Sequence, residues 1–263
     1  MVYAILIASG LMFGSFLNVC IYRMPKGESV VMPGSHCTKC GHMLPWFENI
    51  PVLSFIFLRG KCSKCNAGIS FVYPVVEIIS AVLIVLMYVY FGLTLKALIY
   101  YLLFAALVIS SFVDFDIQEI PDIISLPGIV IGLVISFVYP EIFPWAETRW
   151  QSLIQSLLGV LVGGGSLYVL GFLGELVFRK EAMGGGDIKL LAMVGAFIGW
   201  KLALAVFFIA PFFGVLAGLV VKLRDGKNLI PYGPYLSLGS LIALLWGDKI
   251  IVFLGITRYL NCF

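Results

Sequence analysis

Apolar runs of about 20 residues recur along the whole length of this 263-residue chain. A helix of about that length crosses roughly 30 Å of hydrocarbon, and a helix satisfies its own backbone hydrogen bonds where no water is available. Composition agrees, because 61% of the residues are hydrophobic and only 12% are charged, against about 25% charged in soluble domains. The runs are not confined to one end, so the pattern excludes a soluble protein with a single anchor.

Charges, prolines and glycines mark where the apolar runs begin and end. The predicted spans are residues 2–22, 74–91, 96–113, 122–139, 151–178, 188–199, 202–221 and 235–256. The expected fold class is therefore an all-α membrane protein, a polytopic bundle of about eight transmembrane helices. The first run has neither a basic segment before it nor a small-residue cleavage site after it, which favours a retained helix over a signal peptide.

The basic residues predict how the chain is oriented in the bilayer. The spans place twelve of the 17 Lys and Arg residues on the side of residues 23–73 and five on the other side. Basic loops stay in the cytoplasm, so the N-terminus is expected outside and residues 23–73 inside. The net charge of +3 does not indicate a polyanionic partner. We expect the lipid bilayer as a partner and no nucleic acid.

The polar segment 23–73 contains two C-x-x-C pairs. Cys37 and Cys40 are separated from Cys62 and Cys65 by 21 residues, a spacing that lets two tight turns present four thiolates to zinc. Four protein ligands leave no position for a catalytic water. The pattern therefore predicts a structural Zn²⁺ site in a small cytoplasmic loop domain, with these four cysteines as ligands.

Other interpretations of the cysteines and their neighbours stay open. Two disulfides or four unligated thiols would have the same spacing, although a cytoplasmic position disfavours disulfides. His36 and His42 flank the first pair and could replace a ligand, or they could be solvated loop residues. Cys20 and Cys262 lie in or beside apolar helices and are expected to act as small apolar side chains.

Two groups of acidic residues lie at the ends of predicted spans, where charges are costly and usually functional. In residues 113–122, Asp114 ends an apolar helix, and Asp122 suits the positive end of the next helix. In the second group, Gly184 to Gly186 precede Asp187, and such glycines permit close helix approach. Asp187 on its own would also fit an ordinary helix cap.

Asp114 and Asp187 together have the chemistry of a protease. One ionised carboxylate can take a proton from water while a protonated partner polarises the scissile carbonyl. Both histidines lie in the polar loop, and the chain has neither G-x-S-x-G nor H-E-x-x-H, so serine and metallo mechanisms have little support. We predict an aspartyl protease with Asp114 and Asp187 as catalytic residues.

The chain resembles the type IV prepilin peptidase family, membrane aspartyl proteases with a G-x-G-D motif. The segments that carry the resemblance are residues 14–25, both cysteine pairs, Asn49-Ile-Pro51, Tyr73-Pro74 with Glu77, residues 114–122, residues 184–189 and Pro231-Tyr-Gly-Pro234. The resemblance implies that Asp114 and Asp187 are the catalytic pair. The residues expected to support them are Gly184, Gly186, Asp122, Lys189 and Glu77.

The resemblance also implies the substrates and the location. Family members cleave a basic leader from prepilins or prepilin-like secretion proteins (pseudopilins) at the cytoplasmic face of the bacterial inner membrane. Many then methylate the new N-terminus with S-adenosylmethionine, and those with the cysteine-bearing loop are the members associated with methylation. Methylation is therefore implied here. The sequence itself indicates no residues for this cofactor, since Gly163 to Gly165 are more simply a packing face.

We expect three parts: a first transmembrane helix (1–22), a cytoplasmic zinc-binding domain with four cysteine ligands that is associated with methylation (23–73) and a transmembrane aspartyl peptidase domain (74–263). An ion-coupled transporter is an alternative, but its acids would lie near mid-bilayer within inverted repeats. A second alternative is a nonenzymatic assembly factor that is anchored by the zinc loop. Such a protein would keep its function when the aspartates are replaced. Glu77 and Glu175 could attract a basic leader, or Glu77 could pair with Arg23 or Lys189.

Overall fold

The protein is almost entirely helical in a computed structural model that describes residues 1–179, 183–225 and 231–253. Within these ranges there is no β-strand, only two isolated antiparallel bridges. The α-helices are α1 (Val2–Arg23), α2 (Leu53–Phe57), α3 (Val72–Phe91), α4 (Leu95–Ile117), α5 (Asp122–Val138), α6 (Arg149–Phe178), α7 (Gly185–Asp225) and α8 (Gly233–Phe253). Cys262 and the end of the last predicted span lie outside the described residues.

The lengths of the helices confirm the predicted membrane fold. Five segments are long and apolar enough to cross a membrane: Val2–Lys26, Val72–Phe91, Leu95–Ile117, Arg149–Val177 and Gly185–Val220. Two shorter apolar helices cover Asp122–Val138 and Gly233–Gly247. α7 is interrupted at Gly199, which has φ of 78°, close to the break predicted after residue 199. If its two parts are counted separately, the described residues contain the eight apolar helices that the sequence predicts.

The chain divides into two compact units, Met1–Ile109 and Ser110–Phe263. The division falls within α4, so the last turns of that helix belong to the second unit. The three-part organisation predicted from the sequence is a division by function, and it stays a prediction.

In the first unit, α1 packs against α3 through two glycines. A side chain at Gly10 would meet the backbone of Ala81, and one at Gly14 would meet the backbone of Glu77. Only glycine lets the two backbones lie this close in a lipid environment, where close packing replaces the hydrophobic effect between helices. This packing fixes the middle of α1 beside the first half of α3.

In the second unit, α6 and α7 are in backbone contact. Gly159 and Gly195 face each other so closely that a side chain on either would collide with the other's backbone. Gly163 and Gly164 also face α7, whereas Gly165 faces open space. The packing role predicted for residues 163–165 is thus confirmed for the first two. The contact sets the position of α7, whose first turn carries Asp187.

Candidate active site and metal centre

Asp114 lies in the last turn of α4 and is only 5% exposed. The helix continues to Ile117, so Asp114 lies within its last turn, as expected for an acid that ends an apolar helix, although the predicted span stopped at residue 113. The backbone N–H of Gly233 donates a hydrogen bond to its Oδ2 over 2.8 Å. Because a backbone N–H can only donate, this oxygen acts as an acceptor and carries no proton.

Asp187 lies in the first turn of α7, which begins at Gly185. The turn is closed by the Asp187 N–H, which donates to the carbonyl of Gly184 over 3.2 Å. Gly186 faces the segment after α4, and a side chain there would come within 2.9 Å of the Ile120 Cβ. A residue larger than glycine would therefore push the start of α7 away from the end of α4.

The structure brings the two predicted aspartates together. The carboxyl groups of Asp114 and Asp187 are close enough for the charge of one to act on the other. Ile120 lies beside both Gly186 and Gly233, because a side chain added at either glycine would touch it. An interaction between the charges of the two carboxyl groups is one condition of dyad chemistry.

The segment Pro231–Pro234 lies beside both aspartates. While Gly233 binds Asp114, burial and the nearby charge of Asp187 raise the pKa of Tyr232 to about 12. The Tyr232 hydroxyl therefore stays protonated near neutral pH and is available as a donor beside Asp187. The sequence analysis used this segment only as part of the resemblance. Its signal was a glycine between prolines directly before an apolar helix, which indicates a fixed turn with a close backbone approach.

Asp122 and Lys189 form an ion pair at the starts of α5 and α7. The Lys189 Nζ donates to both carboxylate oxygens of Asp122, over 2.7 and 2.8 Å. The pair is half exposed, since 55% of the Asp122 side chain is accessible, so it contributes little to stability. It joins the helix that follows Asp114 to the helix that carries Asp187.

Glu77 binds neither of the cations considered from the sequence. Its Oε2 accepts the backbone N–H of Val52 over 2.7 Å, while Lys189 binds Asp122. Arg23 is buried and donates to two loop carbonyls, Ser29 over 2.9 Å and Gly34 over 3.2 Å. The considered pairing of Glu77 with Arg23 or Lys189 is therefore wrong, because backbone groups of the polar loop are the closer partners. Glu175 is exposed on α6.

The four predicted zinc ligands converge on one point. The Sγ atoms of Cys37, Cys40, Cys62 and Cys65 all lie within 4.8 Å of one another. The pairs Cys37–Cys65 and Cys40–Cys62 are 3.8 and 4.0 Å apart. A tetrahedral site with Zn–S bonds of about 2.3 Å needs sulfur–sulfur distances of about 3.8 Å. The cluster thus fits Zn²⁺, and its four sulfurs leave no open position.

The two cysteine turns have the same backbone construction. The Cys37 N–H donates to the carbonyl of His42 over 2.8 Å, and the Cys62 N–H donates to that of Ala67 over 2.9 Å. The residue after the second cysteine of each turn has positive φ, 69° at Gly41 and 56° at Asn66. Glycine and asparagine tolerate this conformation best, so the local sequence builds both turns before any metal binds.

The cysteine sulfurs differ in how readily they lose a proton. Backbone N–H groups of Cys40 and Lys39 lower the pKa of Cys37 to about 6. A backbone N–H of Ala67 also lowers the pKa of Cys65. The sulfur of Cys40, burial and the sulfurs of Cys62 and Cys37 act against it, and together they raise the pKa of Cys65 to about 11. Four thiolates this close repel one another, so a cation is what would let all four ionise together.

The other residues near the first cysteine turn are not part of the cluster. The Nδ1 of His36 lies 3.0 Å from the Gly34 carbonyl, and the Nε2 of His42 lies 3.7 Å from Glu48. Neither histidine belongs to the group of converging ligands. Cys20 is a free thiol buried in α1, which confirms the small apolar role predicted for it.

Comparison with known proteins identifies the fold family. Residues 8–91 match the bacterial peptidase A24 N-terminal domain, and residues 101–219 match the type IV leader peptidase family. The chain belongs to the type IV leader peptidase family. This confirms the resemblance and the prediction of a peptidase, and it favours an enzyme over the ion-coupled transporter.

Relatives in the type IV leader peptidase family align along nearly all of the chain. A prepilin leader peptidase/N-methyltransferase of Pseudomonas putida is 36% identical over 266 residues, covering 92% of this chain and 89% of the relative. The protein of the same description from Pseudomonas aeruginosa has the same identity and coverage. A prepilin leader peptidase/N-methyltransferase of Aeromonas hydrophila is 34% identical over 279 residues, which cover 94% of this chain and 92% of the relative. No solved structure matches the chain.

Proposed function

We propose that this chain cleaves the leader peptide from prepilins or prepilin-like proteins with Asp114 and Asp187 as an aspartyl dyad, and then N-methylates the new N-terminus. The observation that carries the proposal is the convergence of these two carboxyl groups from the end of α4 and the start of α7. The descriptions of the relatives support both activities.

The geometry suits acid–base hydrolysis of a peptide bond. The Oδ2 of Asp114 accepts a backbone N–H, so the proton that the pair shares lies on another of the four carboxyl oxygens. The ionised member takes a proton from a water molecule as the water attacks the scissile carbonyl carbon, and the protonated member donates to the carbonyl oxygen. Tyr232, protonated beside Asp187, is placed to donate a further hydrogen bond to this site.

The depth of the dyad suits a substrate that is itself anchored in the membrane. Both aspartates lie at ends of apolar helices, so a peptide bond near the membrane surface can reach them. The excess of basic residues on the side of residues 23–73 supports a cytoplasmic catalytic face. Asp116 and Glu119 are exposed next to Asp114, and they would attract a basic leader.

For methylation, the chain has to bind the cofactor and present the new amine. S-adenosylmethionine would supply an electrophilic methyl group on its sulfonium sulfur, and the amine of the cleaved product would accept that group with loss of a proton. Zn²⁺ in the cysteine cluster would have a structural role, because it would hold the loop between α1 and α3 in shape.

The test of the dyad is leader removal in cells that co-express a prepilin with the Asp114→Asn and Asp187→Asn variants. Each substitution keeps the size of the side chain but removes its acid, and we expect cleavage to fall at least about 1,000-fold. Glu147→Gln is the control, since it makes the same acid-to-amide change at an exposed position before α6. Full processing by both dyad variants, correctly inserted in the membrane, would refute the proposal.

A further inference from the structure

The short helix α2, in the polar loop of the first unit, has an exposed apolar side. Leu53, Ile56 and Phe57 are all exposed, and 81% of Phe57 is accessible. Their spacing of three and four residues places them on one side of the helix. Phe55 lies elsewhere on the helix and has a partner, since its ring centroid is 5.1 Å from that of Phe71. We call Leu53, Ile56 and Phe57 the apolar face of α2.

We propose that the apolar face of α2 inserts into the headgroup region of the bilayer, and that the basic residues that follow α2 bind anionic lipids there. The bilayer is the one that α1 and α3 cross. A helix that lies in the membrane surface has an apolar side toward the acyl chains and cations beside it. The proposal goes beyond the peptidase and methyltransferase activities and does not depend on either.

α2 is held beside the first turns of α3. The backbone N–H of Val52, directly before α2, donates to the carboxylate of Glu77 over 2.7 Å. The ring of Phe55 lies against Phe71, the residue before α3. Because Val72–Phe91 is long and apolar enough to cross a membrane, its first turns are expected at the membrane surface. These two contacts therefore put α2 at the same level.

Phe71 connects α2 to the lipid-facing side of α3. Phe71, Val75, Ile78 and Val82 are all exposed, and they follow one another at spacings of three or four residues, which places them on one side of the helix. An apolar stripe exposed on a membrane-spanning helix lies against the acyl chains. Phe55 contacts the first residue of this stripe, so α2 lies where the lipid-facing surface of α3 reaches the headgroups.

The charge of the segment around α2 favours an anionic membrane surface. No acidic residue lies between Glu48 and Glu77, and Arg59, Lys61 and Lys64 are exposed in this stretch. Long basic side chains reach lipid phosphates while their apolar neighbours stay in the bilayer. A symmetric contact with a second copy would instead bring these cations together, and like charges across an interface are unfavourable. The charge therefore favours the bilayer as the occupant of the apolar face.

Docking of α2 would also set the height of the cysteine cluster above the membrane. α2 lies between the two cysteine turns in the sequence, and Cys62 follows its last residue by five positions. The Gly60 N–H donates to the carbonyl of Phe55 over 2.8 Å, and the Lys61 N–H donates to that of Leu58 over 3.0 Å. Because these bonds join α2 to the second cysteine turn, the cluster would be held close to the membrane surface.

The experiment places the fluorescent amino acid acridonylalanine at position 57 of the full-length protein, in nanodiscs of equal parts phosphatidylglycerol and phosphatidylcholine. We expect lipids with brominated acyl chains to quench this label, and aqueous iodide to quench it several-fold less than a label in place of the exposed Thr38. Equal iodide quenching at the two positions would show that the face stays in water and would overturn the proposal. Shielding from iodide without quenching by brominated lipid would show that protein covers the face, which would also overturn it.

The double variant Leu53→Ser with Ile56→Ser removes most of the apolar face and keeps the labelled position. We expect iodide quenching at position 57 to rise several-fold and quenching by brominated lipid to fall. Val31→Ser with Met32→Ser is the matched control, since it removes two exposed apolar side chains from another part of the same loop. Zinc content and thermal unfolding report whether each variant is folded. Equal quenching in the two folded double variants would overturn the role of the apolar face.

The double variant Arg59→Gln with Lys61→Gln tests the part played by lipid charge. We expect several-fold weaker quenching by brominated lipid in this variant, and also in the wild type in nanodiscs of phosphatidylcholine alone. Lys39→Gln is the control, because it removes an exposed cation from the first cysteine turn, and it should leave the quenching unchanged. Quenching that depends neither on lipid charge nor on Arg59 and Lys61 would overturn the assignment to anionic lipids.

Discussion

The backbone N–H of Gly233 donates to the Oδ2 of Asp114 over 2.8 Å, and a side chain at Gly233 would lie 2.9 Å from the same oxygen. The first turn of α8 therefore fixes this carboxylate through a contact that only glycine permits. We expect Gly233→Ala to displace the Asp114 carboxylate and to reduce leader cleavage about 100-fold, the cost of misplacing a catalytic group by about 1 Å. The measurement is the cleavage rate of a purified prepilin by protein in nanodiscs.

Gly165→Ala is the matched control for Gly233→Ala. A side chain at Gly165 would meet nothing within 4 Å, so we expect wild-type cleavage and equal or slightly higher helix stability. Equal activity in the two alanine variants would show that Gly233 does not position Asp114.

The hydroxyl of Tyr232 is the second group of the 231–234 segment that lies near the dyad. We expect Tyr232→Phe, which keeps the ring and removes one donor, to lower the cleavage rate about tenfold with little change in the substrate concentration at half-maximal rate. The pKa of Tyr232 is raised to about 12, so its proton is present at every pH below that value. Loss of wild-type activity between pH 7 and 10 must then have another origin, and the alkaline limb of the pH profile should be the same in both proteins. A changed alkaline limb would contradict this assignment.

Variants of the ion pair between Asp122 and Lys189 test whether Asp122 positions the helices or takes part in catalysis. An exposed pair contributes about 0–1 kcal/mol, so Asp122→Asn and Lys189→Met should each reduce cleavage by less than about tenfold. The exchanged double variant, Asp122→Lys with Lys189→Asp, should recover part of that loss. If Asp122→Asn abolished cleavage as fully as Asp114→Asn, Asp122 would have to be counted among the catalytic residues.

The cysteine cluster predicts one zinc ion per chain. Metal analysis of the purified protein should find it, and Cys37→Ser or Cys62→Ser should remove it because each takes away one of four ligands. Cys20→Ser is the control, since Cys20 is buried in α1 away from the cluster. Proton competition for the thiolates should release the metal as the pH falls. Zinc content unaffected by both ligand substitutions would disprove the site.

Glu77 is expected to hold the polar loop against α3. Its hydrogen bond to the Val52 N–H is short and partly buried, and a bond to a charged acceptor contributes about 1.5–3 kcal/mol. Glu77→Ala should therefore make residues 45–60 more sensitive to limited proteolysis, by about tenfold or more. The control is Glu175→Ala, which changes an exposed residue of α6. Limited proteolysis should digest this variant at the same rate as the wild type. Equal proteolysis of both variants would mean that other contacts hold the loop.

The membrane fold and the position of Asp187 in the first turn of a helix could be predicted because both depend on features local in sequence. Apolar length determines the spans, and glycines beside Asp187 indicate a close approach. The spacing of Cys37, Cys40, Cys62 and Cys65 likewise specifies a cluster, since a C-x-x-C turn is a local structure.

The partners of the charged residues could not be predicted in the same way. Gly233 binds Asp114 through its backbone N–H. The glycine indicates that some group approaches closely, but every residue except proline has a backbone N–H, so the residue type does not indicate which group it binds. Glu77 and Arg23 are likewise satisfied by backbone groups of the polar loop, whereas the sequence suggested side-chain partners. The conformation of an irregular loop decides such contacts, and that conformation depends on tertiary packing.

The backbone contact between Gly159 and Gly195 also determines which parts of the catalytic region can move. Two helices that touch through their main chains have no side chains between them to reorganise, so we expect α6 and the part of α7 before Gly199 to move together with Asp187. We then expect any adjustment of the gap between the aspartates to come from the end of α4 and from Pro231 and Tyr232. Spin labels placed along α6 and this part of α7 should keep their separation when substrate binds, while those near residues 117 and 231 change theirs.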